Sequence, residues 1–195
     1  MGATKHIVYN NVFCYKCSAG GIETGAGSAV ITNSCFEKCK SGITLGGSDE
    51  VSNIFVKDCS VYLNNENTEI LISNSRFILN GMFYMIPNSK VSLNNCDISI
   101  SSDTWAGQYP ISIYAVGTAA KNNGFLKICN CFIDIGTYYI NTNYLKFLII
   151  TGSYLNVDNG NLLLNYNTDS FIMTGTLYHG GIVGTIINDN KKITP

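Results

Sequence analysis

Apolar side chains in this chain recur at every second residue, in short bursts separated by a polar turn. The clearest burst is Ile70-Leu71-Ile72-Ser73-Asn74-Ser75-Arg76-Phe77-Ile78-Leu79, which reads apolar, any, apolar, any, Asn, small, any, apolar, any, apolar. Val91 to Ile100 and Leu126 to Ile135 match it in full, around Asn95 and Asn130. Looser copies centre on Asn10, Asn33 and Asp58, and two more on Gly152 and Gly175. Period-two alternation predicts strands, and no ten-residue segment holds the 3.6-residue apolar period of a helix.

The eight anchors lie 23, 25, 16, 21, 35, 22 and 23 residues apart. Repeats of this length signal solenoids or propellers, and propeller blades need about 40 residues or more. Leucine-rich repeats fit the length, but their consensus with a helical half is absent. The apolar positions line up when coils are stacked. Two residues before the anchors stand Val8, Ile31, Val56, Ile72, Leu93, Ile128, Ile150 and Met173; three after them stand Phe13, Phe36, Val61, Phe77, Ile98, Ile133, Leu155 and Tyr178. Stacked about 4.8 Å apart, these sets form two internal ladders in a stack about 35 to 40 Å long. An inward Asn at the anchor would bond its own and the neighbouring coil, and the small residue after it would suit a tight corner. A third strand per coil is proposed at 21–24, 42–45, 83–85, 111–114 and 161–164. The 16-residue spacing leaves two readings: a third face reduced to a loop at 64–67, or a slip in register.

The Asn-like turns between alternating strands, spanning roughly residues 6 to 187, resemble the right-handed parallel β-helix of the pectate-lyase-like superfamily. That group includes polysaccharide lyases and hydrolases and the tailspike and tail-fibre proteins of bacteriophages. The resemblance implies an all-β, right-handed, single-stranded parallel β-helix of about eight coils. It implies one domain over 1–195, whole or as a fragment of a longer chain, with a loop insertion at about 101–120. Fold alone leaves function open, because one scaffold hosts many activities.

Composition narrows the classes. Asn is abundant (24), Gly numbers 19 and Pro only 3, so turns are many and short. Only 13% of residues are charged, against about 25% in typical domains. The net charge is -1 and the basic residues are scattered, which argues against nucleic acid. No apolar run reaches the length of a membrane-spanning helix, and residues 1–6 lack the apolar stretch of a signal peptide.

Candidate chemistry is sparse. The eight cysteines include Cys14 and Cys17 on one coil and Cys35 and Cys39 on the next, a spacing comparable to zinc sites. Their offsets from the anchors Asn10 and Asn33 disagree, so metal binding, disulfides and reduced thiols all stay open, and no metal is assigned. Cys59, Cys96 and Cys131 share the small corner position after their anchors. Glycoside hydrolysis needs two carboxylates about 5 to 9.5 Å apart; the candidates are Glu23 with Asp49 or Glu50, and Asp134 with Asp158. A pectate-lyase-like site implies a calcium-binding acidic cluster and an Arg or Lys base. Arg76 is the only arginine and points outward from its corner, so the enzymatic alternative is a glycoside hydrolase rather than a lyase. His6 and His179 form no nucleophilic triad spacing, and no phosphate loop or dinucleotide signature is present, so no cofactor is expected.

The 35-residue spacing after Asn95 is the largest irregularity, and solenoid insertions often form a binding face. Trp105 with Tyr109, Asp103 and Gln108 offers an apolar ring beside polar partners, a pairing suited to sugar. Taken with this cluster, the resemblance implies the structural and receptor-binding part of a phage-type tail spike or fibre recognising cell-surface polysaccharide. The alternatives are a depolymerase on the same scaffold and a passive stalk or adhesin. The resemblance further implies a parallel homotrimer in the virion tail, assembled in the host cytoplasm; a secreted or cell-surface location is the other possibility. Multiple thiols favour folding in a reducing compartment.

Overall fold

The computed structural model describes residues 6–25, 27–63, 69–85, 89–100, 113–115, 124–135, 140–142, 145–164, 168, 170–183 and 191–192. The chain is an all-β, all-parallel solenoid. Its first face is an eight-stranded sheet whose strands lie in chain order: His6–Asn10, Ser28–Thr32, Glu50–Ser52, Glu69–Ser73, Lys90–Asn94, Gly124–Cys129, Leu145–Thr151 and Ser170–Thr174. The second and third faces merge into one larger sheet, because strands such as Phe55–Leu63 and Arg76–Met85 run through the corner between them. The third face holds Gly20–Glu23, Ser41–Leu45, Val61 to Leu63, Phe83 to Met85, Ile113–Ala115 and Ile140–Asn141.

The corner between the first two faces explains the repeat. Asn11, Asn33, Asn53, Asn74, Asn95 and Asn130 all adopt φ of 47 to 58°, and Gly152 and Gly175 take 57 and 59°. Asn tolerates this left-handed conformation better than other side chains, and Gly adopts it without a Cβ penalty. Pairing continues through the bend. The corner N–H bonds forward to the next coil, as Asn74 N to Asn94 O at 3.0 Å, and the N–H two residues later bonds backward, as Arg76 N to Ile54 O at 3.0 Å. Two anchors therefore move from their expected places. Asn11 rather than Asn10 turns the first coil, and Asn53 rather than Asp58 turns the third. Apart from the 35-residue interval after Asn95, the corners fall 20 to 23 residues apart, and the short 16-residue coil was a slip in register.

Asp58 misled because it occupies a second corner of the same kind. Lys16, Lys38 and Asp58 have φ of 54, 56 and 53° at the bend between the second and third faces. In the third coil the residue after the first corner is the bulky Ile54, whereas Asp58 is followed by the small Cys59, so the repeat pattern fits the wrong bend better. Four ladder members change accordingly. The first ladder is Tyr9, Ile31, Val51, Ile72, Leu93, Ile128, Ile150 and Met173. The second is Cys14, Phe36, Val56, Phe77, Ile98, Ile133, Leu155 and Tyr178. Val8 and Phe13, 62% and 68% exposed, point outward, while Val61 joins a third-face ladder with Ile22, Ile43 and Phe83.

These ladders form one continuous core in which Ile31, Phe36, Ile43, Phe77, Leu93 and Ile128 are fully buried. Burying each such side chain contributes about 1.5 to 3 kcal/mol, and neighbouring rungs share that surface, so the stack is held along its whole length. Room is tight at the third face: a Cβ on Gly42 would lie 2.7 Å from Val56 Cγ1.

The corner asparagines are exposed, not buried as expected. The inward corner position belongs to the next residue: Val12, Ser34, Ile54, Ser75, Cys96, Cys131, Ser153 and Thr176. Ser75 Oγ donates to Ser73 O at 2.7 Å and accepts from Ile54 N at 3.3 Å. Ser153 Oγ donates to Thr151 O at 2.9 Å and accepts from Cys131 N at 3.1 Å. One small hydroxyl thus satisfies a carbonyl of its own coil and an N–H of the coil before it.

Candidate functional site

Period-two alternation leaves half of each strand outside, and on the second face the outward residues form two columns. Strand register places Phe13, Cys35, Phe55, Arg76, Asp97, Phe132, Tyr154 and Leu177 in the first. Tyr15, Glu37, Lys57, Ile78, Ser99, Asp134, Asn156 and His179 form the second. The early coils carry two ion pairs, Lys57 Nζ to Glu37 Oε1 at 3.5 Å and Arg76 Nε to Asp97 Oδ2 at 3.2 Å. Both are partly exposed, so they set local charge more than stability.

The later coils are different. Phe132 and Tyr154 stack with ring centroids 4.9 Å apart and planes 9° from parallel. Phe132 is 46% and Leu177 43% exposed, so the three make an apolar strip open to solvent. Beside it runs a line of polar groups. Asn156 Nδ2 donates to Asp134 Oδ1 at 3.1 Å, and Asn156 Oδ1 lies 3.0 Å from His179 Nδ1. The one amide thus bonds both neighbours and ties three coils into a single polar line. A second feature adjoins the columns at the corner: a shallow groove of about 640 Å³ with Asn33, Asn53, Asn74 and Asn95 on one side and Phe55 and Arg76 on the other. Asn33 Nδ2 bonds Asn10 Oδ1 at 3.0 Å and Asn95 Nδ2 bonds Asn74 Oδ1 at 2.8 Å, so the carboxamides form part of an exposed ladder.

The sequence-predicted residues are scattered. Trp105, Tyr109, Asp103 and Gln108 lie outside the described residues. Ser99, on the strand Asp97–Ile100, has Asp134 as its register partner. Asp49 is 1% exposed and points inward. It accepts from Thr24 Oγ1 and Ala29 N, both at 2.8 Å, and from Gly47 N at 3.2 Å, so it fastens the bend between the third and first faces. Its neighbour Glu50 is exposed on the first face, and Glu23 is exposed at the end of a third-face strand. Asp134 has Asn156, not Asp158, as its register partner; Asp158 lies within the strand Tyr154–Leu164 where the register shifts. His6 Nδ1 sits 2.9 Å from Ser28 Oγ on the first face. Sequence reasoning missed the Phe132–Tyr154 and Asp134–Asn156–His179 columns. Their signal lay in equal offsets from Asn130, Gly152 and Gly175, at outward positions that were not compared.

The cysteines are all unpaired, and the corrected corners sort them. Cys17, Cys39 and Cys59 each follow a left-handed residue at the second corner, so their offsets coincide after all. Cys59 belongs with these and not with Cys96 and Cys131. Cys59 Sγ donates to Lys57 O at 3.1 Å and accepts from Cys39 N at 3.2 Å, repeating the serine geometry of the first corner. Burial pushes the Cys59 thiol up to about 12. Cys131 Sγ donates to Cys129 O at 3.1 Å; its hydrogen bond with Cys96 and its burial both raise its pKa. Among the described residues no group of three or more His, Cys, Asp or Glu side chains is arranged to hold a metal ion, and no helix is long and apolar enough to cross a membrane.

No protein-family model, no curated protein and no solved structure matches the chain. The fold and its outward columns therefore carry the functional argument alone.

Proposed function

We propose that the second face binds an extended glycan, the chain serving as the structural and receptor-binding part of a phage-type spike or fibre. The observation that carries this reading is the open Phe132–Tyr154 stack beside the Asp134–Asn156–His179 line. Sugars present apolar C–H faces and a fringe of hydroxyls. An aromatic strip with fixed donors and acceptors alongside answers both. Repetition at the coil spacing of about 4.8 Å suits a linear chain laid along the solenoid axis. Trp105 and Tyr109, expected from the sequence as sugar contacts, belong to the same proposal. A right-handed path of eight coils and a virion location complete it; assembly in a reducing cytoplasm suits eight free thiols.

The test is a screen against capsular and lipopolysaccharide oligosaccharides, followed by calorimetry on any that bind. Replacing Phe132 or Tyr154 with Ala is expected to weaken binding at least tenfold, and Asn156→Ala severalfold, without loss of fold. Absence of binding to any glycan, or binding that survives F132A/Y154A, overturns the reading. Reducing-sugar release from the bound oligosaccharide would move the assignment to the hydrolase.

A further inference from the structure

The first face also turns a set of side chains outward, and their order is nearly reversible. In the central column, strand register gives Val8, Val30, Glu50, Leu71, Ser92, Lys127, Ile149 and Ile172. Read from either end it runs two apolar residues, a charge, two central residues, a charge, two apolar residues, and the two charges have opposite sign. The adjoining column contains Glu69, Lys90, Phe125, Phe147 and Ser170, so the fourth and fifth strands again carry opposite charges. Glu50, Glu69, Lys90 and Lys127 are exposed, Leu71 is 43% and Phe147 39% exposed. Glu50 and Lys127 have no ion-pair partner among the described residues. Three coils separate them, about 14 Å, too far to pair within one chain.

We infer that this face binds a second copy of the chain, its coils stacked in the opposite direction, about a two-fold axis parallel to the strands. The axis passes between Glu69–Ser73 and Lys90–Asn94, the two central strands of the sheet. Reversing the strand order about it sets Glu50 against Lys127 of the second copy, and Glu69 against Lys90. Val8 and Val30 meet Ile172 and Ile149. The contact is isologous, so each unlike-charge pair occurs twice. A parallel arrangement, coil for coil, sets Glu50 against Glu50 and Lys127 against Lys127, which is repulsive, so the inferred pair would replace the parallel homotrimer that the resemblance implied. The outward third column, Asn10, Thr32, Ser52, Ser73, Asn94, Cys129, Thr151 and Thr174, adds only small uncharged groups and permits close approach.

Eight strands about 4.8 Å apart and about 17 Å long cover roughly 600 Å² per copy. The total of about 1,200 Å² stands at the lower edge of stable interfaces, so the pair should dissociate reversibly on dilution. The binding columns of the second face stay free in such a pair.

The experiment is light scattering across a concentration series on the full chain and three variants. Wild type should approach twice the 21.2 kDa chain mass as concentration rises. Glu50→Lys or Lys127→Glu alone should raise the dissociation constant at least tenfold. The double variant E50K/K127E exchanges the charges, keeps the complementarity and should return to within about threefold of wild type. Circular dichroism confirms that each variant is folded. A monomer at every concentration, a trimer, or a double variant as weak as the singles overturns the inference; none of these outcomes bears on glycan binding by the second face.

Discussion

At the residue scale, the position after each left-handed corner decides whether the corner is satisfied. Ser153 shows the economy of the arrangement, since its one hydroxyl serves Thr151 O and Cys131 N. Ser153→Ala leaves that N–H buried and unpaired, a loss of about 1 to 3 kcal/mol measurable by urea unfolding. Ser153→Cys should recover most of it, because Cys96 and Cys131 occupy the same rung. The thiols also give the fold a pH signature. Cys59 ionises in the unfolded chain near its ordinary 9.0 but only at about 12 when folded. Between those values the unfolded state binds fewer protons, so stability falls as pH rises, by at most about 1.4 kcal/mol per pH unit for one thiol. Its contribution is complete below pH 9. Cys59→Ser should flatten the decline between pH 9 and 12 in a thermal-melt series; an unchanged slope would place the alkaline sensitivity elsewhere.

At the scale of the element, the repeat was legible because alternation and turn chemistry are local. The two ladders were correct in the coils around Asn33, Asn74, Asn95, Asn130, Gly152 and Gly175, where an Asn or Gly is followed by a small residue. The third-face strands at Ile22, Ile43 and Phe83 were equally readable. Register failed where local chemistry was degenerate. Asn10 and Asn11 are both turn formers, and Asp58-Cys59 imitates the first corner better than Asn53-Ile54 does. The direction of the Asn side chain could not be read at all, since left-handed geometry turns it outward and hands the interior to its successor. Backbone conformation, more than the amide, should therefore govern stability at an exposed corner. Asn74→Ala keeps φ near 47° and should cost about 1 to 2 kcal/mol, whereas Asn74→Gly, which loses the same amide bond to Asn95, should cost clearly less. Equal losses for both would assign the corner's stability to the side-chain bond.

At the scale of the whole molecule, stacking turns isolated outward residues into columns, and function is read from columns. Phe132, Tyr154, Asp134, Asn156 and His179 are unremarkable singly; parallel register brings them into one strip, while Asp49, a plausible acid by sequence, is turned into the interior. The same stacking gives the first face its reversible order of charges, so one scaffold would present the proposed self-association face and the proposed binding face at once. Two copies joined through the first face would carry two binding strips, and linked sites strengthen attachment to a repetitive surface well beyond either alone. The claim on which this account chiefly stands is glycan recognition by the second face, and nuclear magnetic resonance titration of the labelled chain with a bound oligosaccharide tests it most directly. The account predicts the largest shifts at Phe132, Tyr154, Asn156 and His179, with little change at Leu71, Ile149 and Ile172. Shifts centred on the first face, or none at the Phe132–Tyr154 strip, would contradict it.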